Sequence, residues 1–501
     1  MIKRYRDESI ENLWSNENKV ALWQDVELAV IQARVQLGQV AEDVFLKIQK
    51  TLSSKPVNIN RWLELEEVLK HDLNAFVKER KENLPQGLRF YIHDQMTSYD
   101  TEEAAFALTL SLSCEYTLQK IDMLEHELVR LAKRYCFTPM NARTHGQEAE
   151  MQSFGAKCLT WLVELRLGRE SLFRSMGNLK YSKLSGAIGK YGSISPELEE
   201  KALRILGLKP FFGATQIVPR GFYLSTAQAL CQVTQAVNKI AHDIRLSARS
   251  GKPLMQEPFG KKQTGSSAMP HKKNTIFTEK IEGMDRLARG YLKSIEENSM
   301  TWEERAIEQS SCERVAWPDL FHVTVHSITT LTKVLSGLRV YPDNMLWEIK
   351  NSRGCYAAAQ AKDWLKKYGQ SVGIDEDSAY RIVQLAAFNA HEPCKWARDL
   401  RFVPLMSLYG ADNKFCECLS GMMRSNCESI ETIIVFGRLH LSDQLDCDED
   451  QIQLWNRSLQ KLFASTKMVK DWHKRFIPSY LLRNEPILFR KIIGWTPGSP
   501  K

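Results

Sequence analysis

Between Thr101 and Lys133 the chain runs without a single proline or glycine. Apolar side chains recur there at Ala105, Leu108, Leu112, Leu118, Ile121, Leu124, Leu128 and Leu131, mostly three or four residues apart. That period is helical, and a run of this length at 1.5 Å per residue predicts a helix of about 50 Å. A second stripe, Ala227, Leu230, Val233, Val237, Ile240, Ala241 and Ile244, predicts a helix over about 222–247. Further long helices are expected near 149–177, 276–297 and 318–337. Rods of this length pack side by side into a bundle rather than into a small globule. Glycine and proline cluster between them, at 185–196, 207–213 and 250–265, which places loops at the bundle ends, where functional groups gather.

At 501 residues the chain exceeds one compact core. The pattern divides it into helical segments 1–100, 101–350 and 351–501, the middle one holding the long helices and a loop at 258–275. The fold class is all-α. Lys and Arg outnumber Asp and Glu by 68 to 60, an excess that suits small anions and gives no reason to expect nucleic acid as the main partner. The opening MIKRYRDESIENLW lacks the apolar core of a leader, and no uncharged stretch reaches membrane-span length, so a cytoplasmic protein without a membrane role is expected. The 11 cysteines, apart from Cys416 and Cys418, stand singly, which predicts reduced thiols and no zinc site.

The stretch with the densest chemistry is GSSAMPHKKNT, Gly265 to Thr275. Gly260 and Gly265 have the spacing of a phosphate-binding loop, but Ser266 stands where that loop needs its lysine, and no buried strand precedes it. A solvated basic turn is the plain alternative. His145 in ARTHGQEAE, His71 in LKHDLNAF and His93 in FYIHDQMTSYD are each weak signals alone, and Thr97 and Ser98 are natural caps for the helix that follows them. Combined with Lys272 and Asn274, they supply an acid, donors for carboxylates and a potential base.

These residues resemble the fumarase/aspartase superfamily and, within it, the adenylosuccinate lyase family. GSSAMPHKKN is similar to the superfamily loop G-S-S-x-M-P-x-K-x-N at every specified position. The narrower resemblance rests on MIKRY, KHD at 70–72, TS at 97–98, ARTHG at 142–146, KLSGAIG at 183–189, TQ at 215–216 and WEERAIEQSSCER at 302–314. It covers about residues 1–340.

The resemblance implies a three-domain fold whose long central bundles associate as a homotetramer with a twenty-helix core and active sites shared between subunits. It implies release of fumarate from succinyl nucleotides, with neither metal nor organic cofactor. Ser266 would be the general base, on a loop that closes over substrate, and His145 the general acid. Lys272 and Asn274 would stabilise the doubly charged carboxylate of the intermediate, and His71 would orient substrate. Arg4, Tyr5, Arg305, Ser310 and Arg314 would hold the nucleotide and its phosphate. Thr97, Ser98 and Gln216 would hydrogen-bond the succinyl portion, with Lys70 and Asp72 nearby, and Thr144 and Ser267 would be further substrate contacts.

The sequence departs from the family pattern at Arg220–Tyr223, where many bacterial relatives carry R-D-R-H and only the first arginine remains. Gln95, Met96, Glu148 and Thr275 depart as well. A sister lyase or cycloisomerase acting on argininosuccinate or carboxymuconate, and a non-catalytic nucleotide-binding paralogue, are the competing readings. The basic amino terminus and the 305–314 pattern argue against the first, and the intact catalytic set against the second.

Overall fold

The computed structural model describes residues 1–391, 429–442 and 444–498. The Cys416 and Cys418 positions lie outside the described residues. The chain forms two compact units, each assembled from separate stretches. The first comprises Met1–Leu128, Trp161–Arg249 and Gln256–Arg339. The second comprises Val129–Thr160, Ser250–Met255 and the chain from Val340 onward.

The first unit holds the long helices. The run without glycine becomes one 37-residue helix, Ser98–Arg134, whose Leu110, Cys114, Ile121, Leu124 and Leu128 are fully buried. Leu224–Ser247, Ile276–Glu297 and Ile307–Ser336 are the other long rods, and the fold is helical as expected. The last of these starts eleven residues earlier than the apolar pattern indicated, because Pro318 lies inside it. Proline lacks an N–H, so the carbonyl of Arg314, one turn earlier, loses its helical donor. Shorter helices from the first hundred residues pack a separate aromatic nucleus, in which Trp23 meets Trp62 and Phe76 edge to face at 6.1 and 5.5 Å.

In the second unit, the region expected to open a helix at 149 is a two-stranded antiparallel hairpin, Pro139–Thr144 against Gln147–Ser153, and the helix begins only at Phe154. The carboxy-terminal helices bury a cluster in which Trp364 stacks on Phe463 at 5.2 Å and meets Trp472 at 5.1 Å. Among the described residues no helix is long and apolar enough to cross a membrane. Cys114, Cys136, Cys158 and Cys231 are buried free thiols, in keeping with unpaired cysteines.

Candidate active site

The Thr97–Ser98 segment owes its position to Asp100. That carboxylate is fully buried, accepts the Thr97 N–H at 2.9 Å, and pairs with the equally buried Lys183 at 2.6 Å. It also accepts the Gly186 N–H at 3.1 Å, while Lys183 donates to the Gly186 carbonyl at 2.8 Å. The KLSGAIG motif is thus the buried support of the TS segment. The approach to it is strained: His93 and Gln95 both have φ near +61°, a region unfavourable to any side chain. Glu27 compensates, accepting the His93 N–H and meeting its Nδ1, each at 2.8 Å, and accepting Thr101 Oγ1 at 2.8 Å. Burial disfavours charge on His93, but hydrogen bonding to and the charge of Glu27 outweigh it and raise its pKa. His93 is a structural histidine.

Lys70 to Asp72 sit at a helix start. Lys70 is exposed with φ +51°, and His71 caps the Asp72–Glu82 helix, its Nδ1 accepting the Asn74 N–H at 3.4 Å. Asp72 is buried and pairs with Arg314 at 2.7 Å and Lys19 at 3.4 Å. Burial pushes its pKa up, but the two cations push it further down, so it stays ionised. Arg305 donates to Gln216 Oε1 at 3.0 Å and lies 3.9 Å over the ring of Tyr99, the residue after Ser98. Ser310 donates to the Ile307 carbonyl at 3.0 Å, in the first turn of its helix. The first unit therefore gathers the 70–72, 97–98, 216 and 305–314 motifs into one neighbourhood. Arg4 is exposed, and Tyr5 packs on His326 at 5.3 Å, a little over three turns along the helix from Arg314.

A cavity of about 270 Å³ opens in this neighbourhood. Trp14, Trp23, Tyr99 and Phe106 form its apolar walls, and Lys19, Glu102, Ser310 and Arg314 its polar ones. The Arg220 departure is accounted for at its edge. Arg220 is buried, 2.6 Å from Glu103 and 3.0 Å from Glu313, while Tyr223 Oη donates to Glu103 at 2.9 Å. This arginine holds the core together and has no free donor fork to offer a substrate. Burial drives the Glu313 pKa up to about 7 even beside Arg220.

Sequence reasoning missed Glu102, which looks like ordinary first-turn acidity in TEEAAF. Among the described residues no hydrogen bond or ion pair reaches its carboxylate, and burial together with the nearby Asp72 charge raises its pKa to about 7. Against an ordinary value of 4.5, the folded state holds this proton more tightly, so its favourable contribution is complete below pH 4.5 and disappears as the pH rises through 7. Glu102→Gln is expected to raise the melting temperature at pH 8, by a stability gain on the order of 3 kcal/mol, and to leave it nearly unchanged at pH 4.5. Thermal denaturation at the two pH values checks this, and equal shifts at both would refute it.

The signature loop, also in the first unit, has a fixed internal structure. Ser266 is partly exposed, and its Oγ accepts the N–H groups of Ala268 at 3.3 Å and Met269 at 3.1 Å. Donors aimed at a hydroxyl oxygen favour its anionic form, which is what a serine base requires. Asn274 Nδ2 donates to the Gly265 carbonyl at 2.8 Å and closes the loop on itself. A Cβ at residue 265 would lie 1.9 Å from the Lys272 carbonyl oxygen, so glycine is demanded there by close approach. Ser267, His271, Lys272 and Lys273 are exposed. Glu257 caps the following helix, accepting the N–H groups of Phe277 and Thr278, both at 3.1 Å.

Thr144 and His145 belong to the second unit. His145 and Gly146 have φ of +55° and +77° and link Thr144 to its partner Gln147, a two-residue hairpin turn with both central residues left-handed. The imidazole is therefore presented, exposed, at a hairpin tip. Arg143 braces the stalk through ion pairs with Glu348 and, at 3.8 Å, with Glu148.

Comparison with known proteins identifies the family. A family model described as lyase matches residues 1–290, more than half of the chain. An adenylosuccinate lyase of Aquifex aeolicus is 38% identical over 400 residues, 80% of this chain and 90% of the relative. One of Thermotoga maritima is 36% identical over 77% of this chain and 87% of the relative. Among solved structures, a β-carboxy-cis,cis-muconate cycloisomerase of Acinetobacter calcoaceticus superposes with a TM-score of 0.73 at 17% identity, covering 98% of both chains. A fumarate lyase of Mesorhizobium gives 0.71 at 19% identity, covering 95% of this chain and 99% of the other. These two establish the all-helical superfamily fold, while the sequence relatives narrow it: the chain belongs to the adenylosuccinate lyase family of the fumarase/aspartase superfamily.

Proposed function

We propose that the chain eliminates fumarate from adenylosuccinate, leaving AMP, and from the succinylated aminoimidazole carboxamide ribotide, leaving its amide, in purine nucleotide synthesis. The observation that carries this reading is Ser266, seated with two backbone N–H donors at its oxygen inside a complete signature loop. As the alkoxide, Ser266 removes the proton beside the substrate carboxylate that becomes the doubly charged centre. Lys272 and Asn274 stabilise that charge, the carbon–nitrogen bond breaks, and His145 protonates the departing nitrogen. His71 orients the substrate, with Thr97, Ser98 and Gln216 as its succinyl contacts and Lys70, Asp72, Thr144 and Ser267 as further substrate-binding residues. Arg305, Ser310 and Arg314, with Arg4 and Tyr5, hold the phosphate end. Incubating the purified protein with adenylosuccinate tests the reading: equimolar fumarate and AMP are expected, and fumarate without AMP would redirect the substrate.

The site is completed between subunits of a homotetramer in this reading. Its support is the family resemblance, together with His145 standing exposed on its turn. Mixing inactive Ser266→Ala and His145→Gln proteins and letting subunits exchange should then restore activity at about a quarter of the sites, because some sites draw both intact residues. No recovery from fully exchanged tetramers, or an active monomer in light scattering, would defeat the shared site.

A further inference from the structure

We propose that Glu102 reads the sugar of the nucleotide, its carboxylate accepting hydrogen bonds from the ribose 2′ and 3′ hydroxyls. The proposal rests on the lyase reading for the identity of the substrate, and on the cavity for the place. Ser310 and Arg314, which meet the phosphate in that reading, line the same cavity of about 270 Å³ as Glu102. The sugar is joined directly to the phosphate, so a group sharing a small cavity with the phosphate ligands meets the sugar before the base.

Glu102 is equipped for a neutral donor. None of the cations beside it pairs with Glu102: Lys19 and Arg314 both pair with Asp72, and Arg305 donates to Gln216 and lies over the Tyr99 ring. Among the described residues Glu102 alone of these carboxylates makes no hydrogen bond or ion pair. Glu102 is partly exposed and lines the cavity, so its carboxylate can accept donors that a ligand brings there. Two adjacent hydroxyls match its two oxygens, the arrangement by which acidic residues commonly hold ribose. Trp14, Trp23 and Phe106 provide apolar walls against the carbon face of the sugar.

The test compares ribose with 2′-deoxyribose. At pH 8, where the Glu102 carboxylate is ionised, the wild-type enzyme is expected to cleave adenylosuccinate with a kcat/KM at least about tenfold above that for its 2′-deoxy analogue, the loss of one hydrogen bond to a charged acceptor. The difference should lie mainly in KM. Glu102→Ala should reduce the ratio to near unity, and Glu102→Gln, which keeps the volume and one acceptor oxygen, should give an intermediate ratio. Binding of AMP against 2′-deoxy-AMP by calorimetry provides the same comparison without turnover. An active wild-type enzyme that treats the two sugars alike, or a folded Glu102→Ala protein that keeps the wild-type preference, would overturn the proposal and leave the lyase reading standing. Failure of the wild-type tetramer to cleave either substrate would instead defeat the lyase reading.

Discussion

Ser266→Ala is expected to lower kcat for adenylosuccinate cleavage by about 10³-fold or more while leaving KM and the melting temperature close to wild type. The expected loss follows from the role: a positioned general base contributes about 10² to 10⁴ in rate, and no neighbouring side chain replaces the oxygen that the Ala268 and Met269 N–H groups address. The expected stability follows from the place. Ser266 is partly exposed, so those two N–H groups turn to water when the hydroxyl is removed. Asn274 still ties Gly265, and Glu257 still caps the next helix. Stopped assays of fumarate release with a matched melting curve decide the matter. A variant that retains more than a tenth of the wild-type kcat would remove Ser266 from the reaction.

Lys183→Met is expected to have the largest effect on stability, about 3 to 5 kcal/mol, with a fall in melting temperature of roughly 5 °C or more. Both members of the Lys183–Asp100 pair are fully buried, and removing the cation leaves a buried carboxylate without its counter-charge. The same carboxylate anchors Thr97 and Gly186, so activity should fall together with stability. Replacing both partners, Lys183→Met with Asp100→Leu, should recover part of the stability because no unpaired charge is left. Activity should not recover, since the anchor on Thr97 is gone. A single variant as stable as wild type would show that Asp100 takes a proton at little cost, and the pair would not be the support assigned to it.

The two halves of this molecule differ in how far their roles could be read from local sequence. Helix positions were legible because apolar spacing directly reports the buried face, and Ile276–Glu297 begins and ends at the expected residues. The hairpin at 139–153 was not legible, since ARTHGQEAE lacks the alternation of a strand, and its left-handed His145–Gly146 turn is a property of backbone angles. The start of the Ile307–Ser336 helix was hidden for a related reason: a proline is read as a breaker, yet Pro318 lies inside this helix, between turns that bury Trp317 and Leu320.

The signature loop and the scattered KHD, TS and THG motifs are fixed-order residue types, and their chemistry is written in the residues themselves. The sequence therefore determined the helical class and the reaction type. Partnership is different, because charge and hydrogen bonding depend on distance between residues far apart in the chain. Only the tertiary structure joined Asp100 to Lys183, placed Arg220 in a buried ion pair with Glu103 and Glu313, and set Glu102 on the wall of a cavity. The same glutamate on an open helix face would be an ordinary solvated acid; desolvation and the nearby Asp72 charge raise its pKa to about 7.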